Sequence, residues 1–195
     1  MATQSDRRAT TRTAILQAAR LLFGEHGYGT TSIDQIGAAA RVAKGAIYHH
    51  FSTKQAIFEA VFDQVSEDLA GQIATVSSTK HDVLAAMIAG TKAYFTACSE
   101  GPVAQIILKD GPAVLGWERW RQMDAQHFGG MIPQALGKAM KEGLIARQPI
   151  EPLARLLLGA ITEAAAACSV QPDLRKAGNE YGYALASLLE ALRLD

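Results

Sequence analysis

The sequence predicts an all-α protein, with a small N-terminal unit of three helices followed by a larger helical domain. Apolar residues recur with the period of an α-helix along nearly the whole chain, and strand-type alternation is almost absent. The breaks carry Ser, Asp, Pro and Gly at the positions that start or stop helices. In a chain of 195 residues, 49% of them hydrophobic, a core forms without disulfides or metal.

The first helix is expected from about Ala9 to His26, after a frayed polar start over residues 1–7. Ile15, Ala19, Leu22 and Phe23 form its inner face, and Gly27 is placed to cap its C-terminus. Ser32 with Gln35 has the spacing of a capping box and opens a short helix with Ile33, Ile36 and Ala40 inward. A break at Arg41–Ala43 leads to a third helix, Lys44 to His50. Ser52 with Gln55 repeats the capping-box spacing, and Phe58, Phe62, Val65 and Leu69 step along the helix it starts. Ser77, Ser78 and Thr79 read as a loop, and Asp82 as the cap of a helix running to about Cys98. Gly101-Pro102 and Gly111-Pro112 each read as a break with Pro in the next first turn. A helical stretch bearing two Trp follows, with possible interruptions at Gly129-Gly130 and Pro133, and ends at Gly143. Glu151-Pro152 and Asp173 open the last two helices. Helix length and charge both change near Ser52, which divides the chain into residues 1–52 and 53–195.

Net charge is zero, but its distribution is uneven. Residues 1–54 carry seven Lys or Arg against three acids, and the remainder carries 12 basic against 16 acidic residues. A basic head on an acidic body suits a polyanion. Within that head, two short helices joined by a tight turn are what a helix-turn-helix requires. The helical period turns Ile47, His50 and Phe51 towards the core, and His50 is read as a packing residue. Lys44, Gly45, Ala46, Tyr48 and His49 are left for the other side, where Gly45 and Ala46 allow close approach to a groove. Lys44 can reach a guanine edge or a phosphate, while Tyr48, His49 and Lys54 carry phosphate donors.

Phe23, Gly27-Tyr28, Thr31-Ser32-Ile33, Ile36, Ala40, Val42, the run Lys44 to Phe51, and Lys54 together resemble the N-terminal signature of the TetR family of bacterial regulators. The resemblance covers roughly residues 10–58; beyond it, only length and helical layout are similar. It implies a homodimeric, usually repressing, DNA-binding protein that is released from its operator by a small ligand. It also implies base contacts by Lys44, Gly45, Ala46 and Tyr48, and phosphate contacts by Ser32, His49 and Lys54. Three positions depart from the family pattern: Arg41 replaces the turn Gly, Ala43 a capping Ser or Thr, and Gly37 an Ala.

Nothing points to catalysis or to a cofactor. The five histidines form no HExxH pattern. Gly137-Lys138 lacks the rest of a P-loop, with Ile132 and Ala139 where Gly and Ser or Thr belong. The cysteines, Cys98 and Cys168, are far apart and suit small buried residues in a reducing cytoplasm. No leader pattern opens the chain, and the longest apolar stretch, Leu156 to Val170, is broken by Glu163, so no membrane segment is expected.

The helical body offers Met87, Phe95, Ile106, Trp117, Trp120, Met123, His127 and Phe128 as candidates to line an apolar effector cavity, although each alone is as well read as core. Trp117 and Trp120 share a face, and each indole N–H needs a partner. Leu157, Ile161, Ala164 and Cys168 on one helix, with Tyr181, Leu185, Leu188 and Leu192 on the next, are expected to form a twofold four-helix dimer seam. The alternative is internal core. The functional expectation is therefore a regulator of palindromic duplex operators with a small apolar effector. The competing reading is a helical ligand-binding or interaction protein that does not bind an operator.

Overall fold

A computed structural model describes residues 3–194. The head holds α1 (Gln4–His26), α2 (Ile33–Ala40) and α3 (Lys44–His50). The long α4 (Lys54–Ser78) leads into α5 (Val83–Cys98). A bent stretch follows: α6 (Gly101–Val103), a π-helical segment (Ala104–Asp110) and α7 (Gly111–Leu115). Then come α8 (Trp117–Phe128), α9 (Met131–Lys141), α10 (Ile150–Ser169) and α11 (Leu174–Glu190). Among the described residues there is no strand, only an isolated bridge between Ile145 and Arg193, and no helix is long and apolar enough to cross a membrane.

Most of the caps fall where the sequence puts them. Ser32 and Gln35 satisfy one another's backbone N–H groups, at 2.7 and 3.2 Å. Asp82 accepts from the Ala85 N–H at 2.7 Å, and Asp173 from the Lys176 N–H at 2.9 Å. Gly27 and Gly143 take the positive φ that stops α1 and α9.

Four boundaries differ from expectation. The start of α1 is helical from Gln4, because Thr3 and Asp6 close a capping box that precedes the apolar period. The cap of α4 is Thr53, not Ser52: its hydroxyl accepts from the Ala56 N–H at 3.0 Å. The expected loop at Ser77 and Ser78 is still helix, and the Ser77 hydroxyl donates to the Ala86 carbonyl, tying α4 to α5. Gly111-Pro112 is not a break either. Pro112 has no N–H for the carbonyl one turn back, and the helix widens into its π form just before it. The Trp120 indole N–H donates to the Ile107 carbonyl within that widened turn, at 3.1 Å.

The apolar interior falls into three clusters. The first joins Phe23, Ile36, Ile47 and Phe58 to Ile106, Ile107, Leu115, Trp120 and Met123, so the head closes its core on the π segment, α7 and α8. The second lies among α5, α10 and α11 around Phe95, Ala165 and Leu185. The third gathers Leu84, Leu136, Ala139 and Leu189 where α5, α9 and α11 meet.

The α5–α11 pair packs closely. A Cβ at position 178 would stand 2.2 Å from Ser99 Oγ and 3.0 Å from the Phe95 carbonyl oxygen. Gly178→Ala should therefore cost about 1–3 kcal/mol through overpacking. Urea unfolding measures this, and an unchanged midpoint would show that the seam gives way freely.

Candidate nucleic-acid interface and ligand cavity

The turn between α2 and α3 sets how α3 is presented. Arg41 ends α2 in the left-handed region (φ 56, ψ 41) and is the only non-glycine with positive φ among the described residues. The Val42 N–H then returns to the Gly37 carbonyl at 2.9 Å. Gly37 has a reason of its own. A Cβ there would lie 2.9 Å from the Val42 carbonyl oxygen and 3.3 Å from Ile47, so its absence lets the turn fold tightly over α2. Ala43 precedes α3 with no side-chain cap.

Ile47 is fully buried and Phe51 nearly so, which anchors α3. Lys44, Gly45, Tyr48 and His49 are exposed, and Ala46 is half-buried. The Lys44 ammonium is paired with Asp34 of α2 at 3.0 Å, which raises its pKa; the pair is open to water and free to exchange for another anion. Ser32 is exposed at the start of α2, with its oxygen accepting from Gln35.

Lys54 is held inward. Its ammonium donates to the Tyr28 and Thr31 carbonyls, both at 2.8 Å, and lies 4.0 Å from the Tyr28 ring centroid. It thus fastens the α1–α2 loop to the start of α4, which leaves it less free for phosphate than its sequence position suggests. Tyr28 is fastened from the other side, its N–H donating to Asp110 of the π segment at 2.8 Å.

Two basic residues missed as site candidates lie beside α3. Arg12 of α1 sits over the Phe51 ring. Burial, then Arg8, His49 and Arg12, lower the pKa of His50, which is half-buried as expected for a packing residue. The sequence signal for this placement was the Thr3/Asp6 box, which extends α1 back past Arg8.

In the body, α4, α5, α8, α9, α10 and α11 surround a cavity of about 390 Å³. Its wall is mainly apolar, with Ile73, Met87, Phe128, Ile132, Ile161 and Leu185 among the lining residues. Of the expected lining set, Met87 and Phe128 are brought there. Phe95 is packed in the α5–α11 core. Ile106, Trp120 and Met123 belong to the cluster shared with the head. Trp117 is exposed and stacks on Trp120, with centroids 5.0 Å apart. Trp120 therefore packs at the head–body junction, where the Ile107 carbonyl accepts from its indole, and Trp117 covers it from outside. His127 pairs with Asp63 of α4 at 2.8 Å.

The cavity also holds a carboxylate that sequence reasoning did not single out, Asp124 of α8. Among the described residues it makes no hydrogen bond or ion pair, and burial pushes its pKa up to about 6 despite His127 and Arg121 nearby.

The expected seam residues are not on one free face. Ala164, Cys168 and Leu185 are buried within the chain, and Leu157, Ile161, Tyr181 and Leu192 are partly buried against its clusters. Leu188 is exposed. The open apolar and small face of α10 is instead Leu156, Gly159 and Ala160, and that of α11 includes Tyr183, Ala184 and Leu188. The helix is apolar nearly all round, so its outward phase could not be read from period alone.

Residues 15–61 match the family model described as bacterial regulatory proteins of the tetR family. Residues 84–192, more than half of the chain, match the tetracyclin repressor-like C-terminal domain. The chain is 25% identical to the transposon Tn10 TetC protein of Escherichia coli over 156 residues, covering 80% of this chain and 79% of that one. It is 38% identical to the HTH-type transcriptional repressor AcnR of Corynebacterium efficiens over 72 residues, 37% of each chain. A crystal structure of a regulator from Pectobacterium atrosepticum superposes over 100% of this chain and 99% of that one, with TM-score 0.87 and 28% identity.

Two stability measurements follow from this geometry. Arg41→Gly and Ala43→Ser should each stabilise the protein by about 1 kcal/mol, by relieving a left-handed side chain and by supplying a cap; an unchanged or lower urea midpoint for both would contradict this account of the turn. For Asp124, the folded chain holds a proton that the unfolded chain releases between pH 3.8 and about 6, so stability falls as pH rises through that window and stays low above it. Asp124→Asn should then stabilise the ligand-free protein by about 1–2 kcal/mol near neutral pH, and much less at about pH 4. Thermal unfolding at both pH values tests this, and an equal effect at the two would refute it.

Proposed function

The chain belongs to the TetR family of bacterial transcriptional regulators, and on that premise we propose that it represses from a palindromic operator until a small, largely apolar ligand fills the cavity of its body. As a member of that family it is a DNA-binding regulator built on a helix-turn-helix. The observation that carries the finer reading is α3 itself: its buried side is locked by Ile47 and Phe51, and its open side offers Lys44, Gly45, Tyr48 and His49. In this reading Lys44, Gly45, Ala46 and Tyr48 meet base edges, while Ser32 and His49 take phosphates. Lys54 serves chiefly to hold the loop that positions Ser32, and contacts phosphate with whatever donor capacity remains. The chain acts by binding rather than catalysis.

The division into a head, residues 1–52, and a body, residues 53–195, is one of function, because the first apolar cluster runs across it. Two helices offer a route between the sites. In α4, Lys54 lies at the head, and Ile73 and Ser77 line the cavity. In α8, Trp120 and Met123 pack with the head, and Asp124 and Phe128 face the cavity. A ligand that prefers one setting of these helices changes the setting of α3 by the same free energy.

Reading both halves of a palindrome needs two copies with recognition helices about 34–36 Å apart. The face of Leu156, Gly159 and Ala160 with Ala184 and Leu188 is the surface we assign to that pairing.

Fluorescence anisotropy on duplexes selected from random DNA should show binding that weakens steeply between low and moderate salt. Lys44→Ala should lose about tenfold or more on the selected sequence and relax preference at one base position. Ala160→Arg, exposed in the single chain, should give folded monomers with weak operator binding in sedimentation and anisotropy. Absence of duplex binding by any selected sequence at low salt would remove the central reading; a dimer that survives Ala160→Arg would remove the pairing face.

A further inference from the structure

We propose that the body cavity takes an organic cation, an apolar skeleton bearing a protonated amine or similar group, seated against the Asp124 carboxylate. The proposal rests on the reading of this cavity as the effector site and names its ligand class.

The lining is mainly apolar, which suits a hydrocarbon or aromatic body; of its polar residues, Ser77 and Thr91 donate to backbone carbonyls of α5, and Gln134 and Thr162 are neutral. Asp124 interrupts that lining with an acid that no described residue pairs or hydrogen-bonds. The cationic groups nearby are committed elsewhere. His127 is bonded to Asp63 at 2.8 Å. Lys138, which also lines the cavity, is mostly exposed and pairs with Glu142 at 3.8 Å. Arg121 lies over the outward ring of Trp117.

A carboxylate that His127 and Arg121 offset only through space, in a mainly apolar chamber, is a cost to the empty protein. A neutral ligand would strip its remaining water and increase that cost, and an anionic ligand would add repulsion. A cation removes it. Tyr94 and Phe128, which line the same chamber with ring centroids 6.2 Å apart, add aromatic surface on which an ammonium group is favoured. The chain thus discriminates by the sign of the ligand's charge more than by its length, since Asp124 is the one acid among the lining residues.

The test compares octylamine, octanol and octanoate, which share one skeleton and differ in head group, by calorimetric titration into the full-length protein at about pH 7.5. Octylamine should bind about tenfold or more tighter than octanol, as expected for a charge-assisted hydrogen bond, and octanoate should bind weakest. Asp124→Asn, which keeps the side-chain shape, should lose that advantage while holding octanol as well as before or better. Equal affinities for amine and alcohol, or an amine affinity unmoved by Asp124→Asn, would overturn the charge assignment and leave the cavity as a ligand site. Binding of none of the three would overturn both. Operator anisotropy with octylamine present separates the remaining case: binding without any loss of operator affinity upholds the cation site and removes the effector reading.

Discussion

The indole of Trp120 fills the space on which the head depends. It packs in one cluster with Phe23 and Phe58, and its N–H reaches the Ile107 carbonyl, which the widened π turn before Pro112 offers. One long and two short helices at the N-terminus have too little apolar surface to close a core by themselves. Here the missing wall is lent by the body, and Gly111 gives the indole room, since a Cβ there would lie 2.8 Å from its ring. The head is therefore positioned by the same helix that carries two cavity residues, and the two sites share a mechanical element.

Much of this was legible in the sequence wherever a local rule decides the outcome. Ser32, Asp82, Asp173 and Gly27 mark their helix ends by the chemistry of single turns, and α3 is bounded as its sequence indicates. The exposed set on α3 followed from period and from two anchoring residues. What failed to show depends on longer relations. Ser52 and Thr53 are neighbours that can both cap a helix, Ser the more readily, and only the path of the chain selects Thr53. The π turn has no signature beyond a proline. The cavity is where six helices fail to meet, so its wall draws on residues such as Asp124 that no single-helix pattern sets apart, and on Leu185, whose pattern suggested a dimer seam instead. In α10, which is apolar on several sides, the period identifies a helix but not its outward face.

The turn before α3 is where local preferences are least satisfied. A glycine sits inside α2, an arginine takes a left-handed conformation, and α3 begins uncapped. These disfavoured choices adjoin the surface that the fold presents outward, while Ile47 and Phe51 anchor the helix that follows the turn and the Lys54 ammonium holds the loop before α2. A surface that must meet another molecule is a common place for such compromises. The unpaired acid in the body is a second instance.

The seam between α5 and α11 has a different consequence. Gly178 fixes the spacing of the two helices from their far side, by contact with Ser99 and Phe95, whereas Met87, Thr91, Leu185 and Leu189 project from the same two helices into the cavity. The frame and the upholstery are separate parts. Side chains in the chamber can be exchanged for others of different size or polarity while the helix spacing stays fixed, so a new chemical selectivity does not require a new architecture.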